Sequence, residues 1–213
     1  MPNFTRKGFG QVEPNQLSAQ KTGQIYASLP LNRDVQVLQN GEFMYYDYAT
    51  NQVTAEGQGE PMLVFNEIKL YEPFYRETYK NFAMIRKGDN YVTSNVMATE
   101  GFDKSALVEG VAANPDHVEY PYRMEGFAPR MFKTNIGDIY TTNMVATGVE
   151  YVVGDKLTPV VVDHTYENAK GETKGYKTMQ LQKTEATEGM LWIVGKVYTM
   201  PDGQPGLKIQ RIQ

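Results

Sequence analysis

The sequence predicts a mainly β fold, with antiparallel hairpins, a small β-barrel or sandwich, an extended N-terminal arm and little helix. Two observations predict this class. From Val35 onward, short runs in which apolar and polar residues alternate are separated by turn residues. Five such runs follow one another between residues 129 and 213, at a spacing typical of small barrels and sandwiches. With 213 residues, 41% of them hydrophobic, the chain can bury the core of one large β domain or two small ones.

Residues 1–30 predict the extended arm, because this segment is polar, rich in Gln, Gly and Pro, and shows neither the helical nor the strand period. It contains three basic residues and one acidic residue, although the whole protein has a net charge of -4. Phe4 and Phe9 flank the basic pair Arg6 and Lys7. Such a segment either frays as a chain terminus or becomes ordered on another subunit, and the sequence leaves both interpretations open.

Three parts follow the arm. Residues 31–98 are rich in predicted hairpins, and within them the aromatic segment 71–82 favours a loop followed by a strand. Residues 99–128 form an irregular insertion with one short helix near Asp103, and long loops of this kind are usually functional. Residues 129–213 form the barrel or sandwich part. The sequence leaves open whether 31–213 is a single domain.

Two joints in the last part share one pattern, Ile136-Gly137-Asp138-Ile139 and Val153-Gly154-Asp155-Lys156. Glycine permits a positive φ angle, and an aspartate side chain accepts hydrogen bonds from nearby backbone. Both segments therefore predict tight turns that lead into strands.

The segment GEFMYYDY, residues 41–48, predicts a strand covered on both faces. Phe43 and Tyr45 point to one face, while Met44, Tyr46 and Tyr48 point to the other. Because both faces are apolar or amphipathic, we expect the core to cover the first face. We expect the insertion, an arm or a neighbouring subunit to cover Tyr46 and Tyr48 on the second.

Composition and motifs predict a protein that is not an enzyme and has no cofactor or metal. The sequence has no cysteine, which excludes disulfides and thiolate sites, and no catalytic motif is present. The two histidines, His117 and His164, each have carboxylates nearby, but neither spacing matches a metal site. A pI near 5.3 disfavours nucleic acid as a partner. No apolar run of signal-peptide or membrane-span length occurs, so we expect synthesis in a cytoplasm and no membrane partner.

Four segments carry a resemblance to a known class of proteins: FTRKGFGQVEPNQLSAQKTGQIYASLP, the hairpin region NGEFMYYDYATNQVT with PMLVFNEIKLYE, PRMFKTNIGDIYTTNMV, and KVYTMPDGQPGLKIQRI. Together they resemble small structural proteins of tailed bacteriophages that accompany the major capsid protein. The resemblance covers most of the chain, and residues 95–127 match least well. It implies a capsid decoration or cement protein located in the virion, made in the bacterial host cytoplasm, with the major capsid protein as partner and a homo-oligomer, such as a trimer, as its own assembly.

This resemblance suggests which residues make protein contacts. Arg6 and Lys7 would meet acidic groups of a neighbouring subunit, and Phe4 and Phe9 would occupy apolar pockets. Such contacts would stabilise the shell without any chemical step. The set of predicted interaction residues is Phe4, Arg6, Lys7, Phe9, Tyr46 and Tyr48.

Two classes of alternative function stay open. One keeps the protein in the particle as a head-tail connector, tail-tube or head-fibre protein. The other is a carbohydrate- or receptor-binding module that stacks sugars on Tyr45, Tyr46 and Tyr48, or on the aromatic residues between 71 and 82. An enzyme with an unrecognised site is a third, weaker alternative.

Overall fold

A computed structural model describes residues 3–6, 10–32, 34–35, 37–66, 84–86, 128–167, 172–200 and 203–213. It confirms the mainly β class, with a single short helix among the described residues. The elements are β1 Val12–Gln16, α1 Ser18–Thr22, β2 Ile25–Tyr26, β3 Val37–Gln39, β4 Phe43–Asp47, β5 Gln52–Thr54, β6 Met62–Val64, β7 Met84–Arg86, β8 Met131–Phe132, β9 Ile139–Thr142, β10 Lys156–Glu167, β11 Thr173–Lys183, β12 Trp192–Thr199 and β13 Pro205–Arg211.

One antiparallel sheet contains most of these strands and curls into a half-barrel. Its order is β1-β9-β13-β12-β10-β11-β4-β6-β8-β2, with β5 paired to β4 off this path. Strands β3 and β7 form a separate two-stranded sheet. Nowhere in the described ranges is a helix long and apolar enough to cross a bilayer.

The sheet crosses the predicted boundary near residue 129. Phe43 of β4 pairs with Met179 of β11, and Leu63 of β6 pairs with Phe132 of β8. The described strands on both sides of that boundary therefore share one hydrogen-bonded sheet.

Residues 12–26 are not an extended arm, which corrects the prediction for that part of 1–30. β1 pairs with β9, and β2 pairs with β8. Between them, α1 ends at Gly23, whose φ of 69° lies in the left-handed region. The sequence hid these elements because they are too short to show a period, and because β1 lies at a sheet edge with mostly exposed side chains.

Two apolar clusters cover the opposite faces of β4, as the sequence predicts. Phe43 is fully buried in the first cluster, and Tyr45 packs partly against it. Met44 and Tyr46 belong to the second cluster. That second cluster is supplied by the chain itself: Leu31, Val35, Leu38, Val53, Ala55, Val64 and Met131, with Tyr26 and Leu29 packed against it.

The C-terminal part also follows the sequence closely. Strands β9 and β12 lie within the predicted runs, β11 and β13 each begin one residue earlier than predicted, and β10 continues four residues past its predicted run, to Glu167. Trp192 is fully buried beside Phe43 and Tyr140. Both predicted joints form the same turn. Gly137 and Gly154 have φ angles of 94° and 96°. In each turn the aspartate accepts the N–H of the residue three positions earlier, at 2.9 Å for Asp138 and 2.8 Å for Asp155.

Several predictions fall outside the described residues. They are the predicted insertion 99–128, apart from its last residue, and the loop and strand predicted at 71–82.

Gly41 and Gly59 provide a matched pair for testing the packing at the start of β4. Both have a φ near +94°, but a Cβ at Gly41 would lie 2.6 Å from Met144 Cβ, whereas a Cβ at Gly59 meets nothing within 4 Å. We predict that Gly59→Ala costs about 1–2 kcal/mol of unfolding free energy from backbone strain alone. Gly41→Ala should cost about 1–3 kcal/mol more, from the clash. Urea unfolding of both variants tests this, and equal losses would contradict the packing described here.

Candidate functional site

Phe4 lies in the chain's own core. Its side chain is 5% exposed and meets the ring of Tyr151 edge-on, with ring centroids 5.7 Å apart. Its backbone N–H donates to the Val149 carbonyl, and its carbonyl accepts the Gly148 N–H, both at 2.8 Å. This position corrects the prediction that Phe4 is free to enter a neighbour's pocket, because here its apolar surface is already buried. Lys7 and Phe9 lie outside the described residues.

Arg6 meets an acidic group, but the group belongs to the same chain. The guanidinium lies close enough to Glu42 for the two to interact electrostatically, and Nη1 contacts Sδ of Met144. Burial lowers the pKa of Arg6, and the carboxyl of Glu42 partly offsets this effect. The prediction that Arg6 pairs with a neighbouring subunit is therefore replaced by an internal contact in this structure.

Glu42 is 1% exposed and lies at the bend that leads into β4. Burial raises its pKa to about 8, although Arg6 and hydrogen bonds from Gln39 and Thr178 each lower it. The Gln39 N–H donates to Oε2 of Glu42 at 3.0 Å. Burial thus favours the protonated carboxyl, whereas the nearby Arg6 guanidinium favours the carboxylate.

Thr178 connects this buried carboxyl to His164. The Thr178 hydroxyl oxygen lies 2.8 Å from Nε2 of His164, and the His164 ring stacks on Tyr176 with centroids 4.8 Å apart. Burial lowers the pKa of His164, with Arg6 adding to the decrease and Asp163 opposing it. The chain Glu42, Thr178, His164 is thus a continuous polar path from the interior to the surface.

A cleft of about 580 Å³ lies at the outer end of that path, between the β10–β11 hairpin and the segments 32–35 and 54–56. Asp34, Glu56 and Asp163 make its walls acidic, and the Lys177 ammonium pairs with Glu56 at 2.7 Å. His164 and Tyr176 line the cleft together with these charged residues.

The geometry of β10 explains why Asp163 and His164 do not chelate an ion together. Adjacent strand residues point to opposite faces, so Asp163 pairs across with Lys177 while His164 pairs with Tyr176. No group of three or more metal-binding side chains occurs within the ranges that the structure describes. His117 lies outside those ranges.

The three tyrosines of β4 and its turn do not form a stacking platform. Tyr46 is 9% exposed, and its hydroxyl oxygen accepts the N–H groups of Ser28 and Leu29 at 3.1 Å each. Tyr45 is half-buried, and only Tyr48, 67% exposed, is open to solvent. The predicted cover of the Tyr46 face is confirmed, since residues 26–29 of the predicted arm supply part of it. Tyr48 is not covered.

The outer half of the β10–β11 hairpin, residues 162–167 and 173–178, is a two-stranded ribbon that pairs with no other described strand. The Thr184 N–H donates to the Lys156 carbonyl, so even-numbered residues of β10 bond to β11. The odd-numbered residues Val161, Asp163 and Thr165 therefore direct their backbone N–H and C=O groups outward. The preceding outward position is Pro159, which has no N–H to offer.

Sequence reasoning did not identify this edge as a site. The strand lengths reveal it: β10 has 12 residues and β11 has 11, more than the other strands of the described sheet. A hairpin longer than its neighbours must extend past them.

Comparisons with known proteins identify no relative. No family model, no curated protein and no solved structure matches the chain.

Glu42 makes stability depend on pH. Its pKa of about 8 in the folded chain lies above its ordinary value, so its contribution is complete at acidic pH and is lost as pH rises through about 8. We predict that Glu42→Gln removes this decline in stability. As pH rises, the free energy of unfolding of the variant should therefore increase relative to that of the parent, by up to about 1.4 kcal/mol per pH unit. Urea unfolding from about pH 5 to pH 8 tests this. Glu185→Gln, at an exposed position, controls for the loss of one charge. A difference that does not change with pH would contradict the assignment.

We predict that removing the hydroxyl group destabilises the protein much more at Tyr46 than at Tyr48. Tyr46→Phe leaves two backbone N–H groups without their acceptor and should cost about 1–2 kcal/mol of unfolding free energy. Tyr48→Phe should change it by less than about 0.5 kcal/mol, because its ring is mostly exposed. Thermal unfolding of the pair measures the contrast, and similar melting temperatures would refute it.

Proposed function

We propose that the protein is a non-enzymatic structural component of a tailed-phage particle, of the decoration or cement type, that binds the assembled capsid shell and stabilises it. Its partner would be the major capsid protein, and its location the virion after synthesis in the host cytoplasm. Two kinds of support exist: the sequence resemblance to virion structural proteins, and a surface suited to binding a protein. The β10–β11 ribbon is the observation that carries the proposal.

The outer half of the β10–β11 hairpin has an open edge that a partner can occupy. On one side Tyr176 packs against the second cluster and Lys177 pairs with Glu56. The outward edge of β10 has no described strand beside it, and a two-stranded ribbon gains little from its own pairing in water. The distal residues Asp163, Thr165 and Lys177 are exposed. A partner that packs on the ribbon, or adds a strand to its edge, would supply the missing contacts.

Binding of this kind stabilises a shell by mass action. A surface of the shell that is complete only after assembly binds the ribbon only in the assembled state, which shifts the equilibrium toward that state. Many copies add their increments over one particle. No covalent step is required.

In this proposal the ribbon, and not the segment 1–30, makes the contact with the capsid shell. Phe4 and Arg6 are engaged within the chain, and Tyr46 lies beneath residues 26–29. Of the predicted interaction residues that the structure describes, Tyr48 is the most exposed. The number of copies per particle distinguishes a position on the shell from one at a connector or in a fibre. Mass spectrometry of purified particles measures that number.

Thr165→Pro tests the ribbon edge. The substitution removes an outward N–H and leaves the bonds to β11 in place, because those are made by the even-numbered residues. We predict about tenfold weaker binding to particles assembled from a genome that lacks this coding sequence, since one intermolecular hydrogen bond is lost and its acceptor is left unpaired. Thr165→Val keeps the N–H and should bind like the parent.

Co-sedimentation with particles measures the affinities, and thermal unfolding confirms that both variants are folded. If Thr165→Pro binds as tightly as Thr165→Val, the β10 edge is not the contact. If the unaltered protein binds no particle at all, the proposed function is wrong.

A further inference from the structure

The β10–β11 hairpin has a second open edge, on the side of β11 that faces away from β10. Because even-numbered residues of β11 bond to β10, its odd-numbered residues direct their backbone N–H and C=O groups to this side. At the base of the hairpin the groups are engaged: the Leu181 carbonyl accepts a backbone N–H at 3.0 Å, and Met179 pairs with Phe43 of β4. Further out, at Lys177 and Gly175, no described strand pairs with β11 on this side.

The cleft lies beside this unpaired part of β11. Strand β4 pairs with β11 at Phe43, but from Tyr45 to Asp47 it pairs with β5. Strand β11 therefore continues past Met179 without β4 beside it. The cleft of about 580 Å³ lies between the hairpin and the segments 32–35 and 54–56, and its volume is typical of ligand-binding clefts.

The walls of the cleft favour a cation. The described lining contains three acidic residues and one basic residue: Asp34, Glu56, Asp163 and Lys177. The Lys177 ammonium pairs with Glu56 at 2.7 Å, so the lining keeps an excess of negative charge. The stacked rings of His164 and Tyr176 also line the cleft, and aromatic rings attract cations and pack against aliphatic stems. Lysine and arginine side chains have both features.

We propose that the cleft binds an extended peptide segment of another protein, which adds as a strand to β11 at Gly175 and Lys177 and places a lysine or arginine side chain between the acidic walls. The backbone of the segment pairs with the outward N–H and C=O groups of β11, as in recognition by strand addition. The charge of the walls selects the side chain. This site lies on the opposite edge of the ribbon from the outward row of β10, so one partner on each edge can bind at the same time.

An NMR titration of the isotope-labelled full-length chain with synthetic peptides tests the site. The probes are acetylated and amidated pentapeptides of sequence Thr-Val-X-Val-Thr, in which X is Lys, Ala or Glu. We expect the Lys peptide to shift the amide signals of Gly175 and Lys177. It should bind about fivefold more tightly than the Ala peptide, because it gains one partly exposed ion pair, and the Glu peptide should bind most weakly. N-acetyl-lysine methylamide has the cation but no strand, and should bind at least about tenfold more weakly than the Lys peptide.

Two variants at one position test the strand pairing. Gly175→Pro removes an outward N–H and leaves the bonds to β10 in place, whereas Gly175→Ala keeps the N–H. A Cβ at this position meets only the His164 carbonyl oxygen, at an ordinary contact distance of 3.5 Å. We expect Gly175→Pro to bind the Lys peptide about tenfold more weakly, since one intermolecular hydrogen bond is lost. Gly175→Ala should bind it like the parent.

A second pair of variants tests the charge of the walls. Asp34→Asn combined with Asp163→Asn should reduce the preference for the Lys peptide over the Ala peptide to less than about twofold. Both positions are exposed. Glu185→Gln combined with Glu188→Gln removes the same charge from exposed positions between β11 and β12, at the other end of the hairpin, and should leave the preference unchanged.

The proposal is wrong if no peptide shifts the signals of Gly175 and Lys177, or if Gly175→Pro binds as tightly as Gly175→Ala. N-acetyl-lysine methylamide that binds as tightly as the Lys peptide would reduce the cleft to a cation site and would also overturn strand addition. Equal affinities for the Lys, Ala and Glu peptides would contradict the partner's assigned chemistry. The amide spectrum of each variant shows whether it is folded. The titration needs no phage particle, so its result is independent of the particle-binding experiment.

Discussion

The burial of β4 on both faces is the constraint on which the rest of the structure depends. Phe43 and Met44 are neighbours in sequence and are both fully buried, but they face different clusters. One cluster fills the half-barrel, and the other joins β4 to the segment 29–38. A shift of one residue along β4 would exchange the two faces, so the register of this strand fixes both clusters at once.

The bend before β4 is built to hold that register. Gly41 has a positive φ and approaches Met144 so closely that a Cβ would not fit. Glu42 follows it and is buried, with its carboxyl bonded to the backbone of Gln39. This buried acid is also the contact for Arg6 and, through Thr178, for His164. The polar network and the contact with Arg6 therefore both depend on the position that β4 gives to one residue.

The two ends of the long hairpin differ because the sheet supports only one of them. At the base, β10 pairs with β12 through Lys156 and Leu157, and Met179 of β11 pairs with β4. Beyond these residue pairs, β10 and β11 pair only with each other among the described strands, and the polar cleft lies beside His164. The supported end contributes Leu157 and Leu181 to the core, whereas the distal end offers an open edge. The surface available to a partner thus results from a mismatch in strand length.

The sequence by itself determined the β class, the C-terminal strands, the two Gly-Asp turns and the double cover of β4. These features depend on local periods and on single-residue conformations, which are visible along the chain. Tertiary structure alone decided that residues 12–26 join the sheet, that Phe4 and Arg6 dock on their own chain, and that Glu42 is buried beside Thr178. In each case the partner lies far away in sequence: Thr142 for Val12, Val149 for Phe4, and Thr178 for Glu42. A local pattern shows which residues can be buried, but not which distant segment covers them.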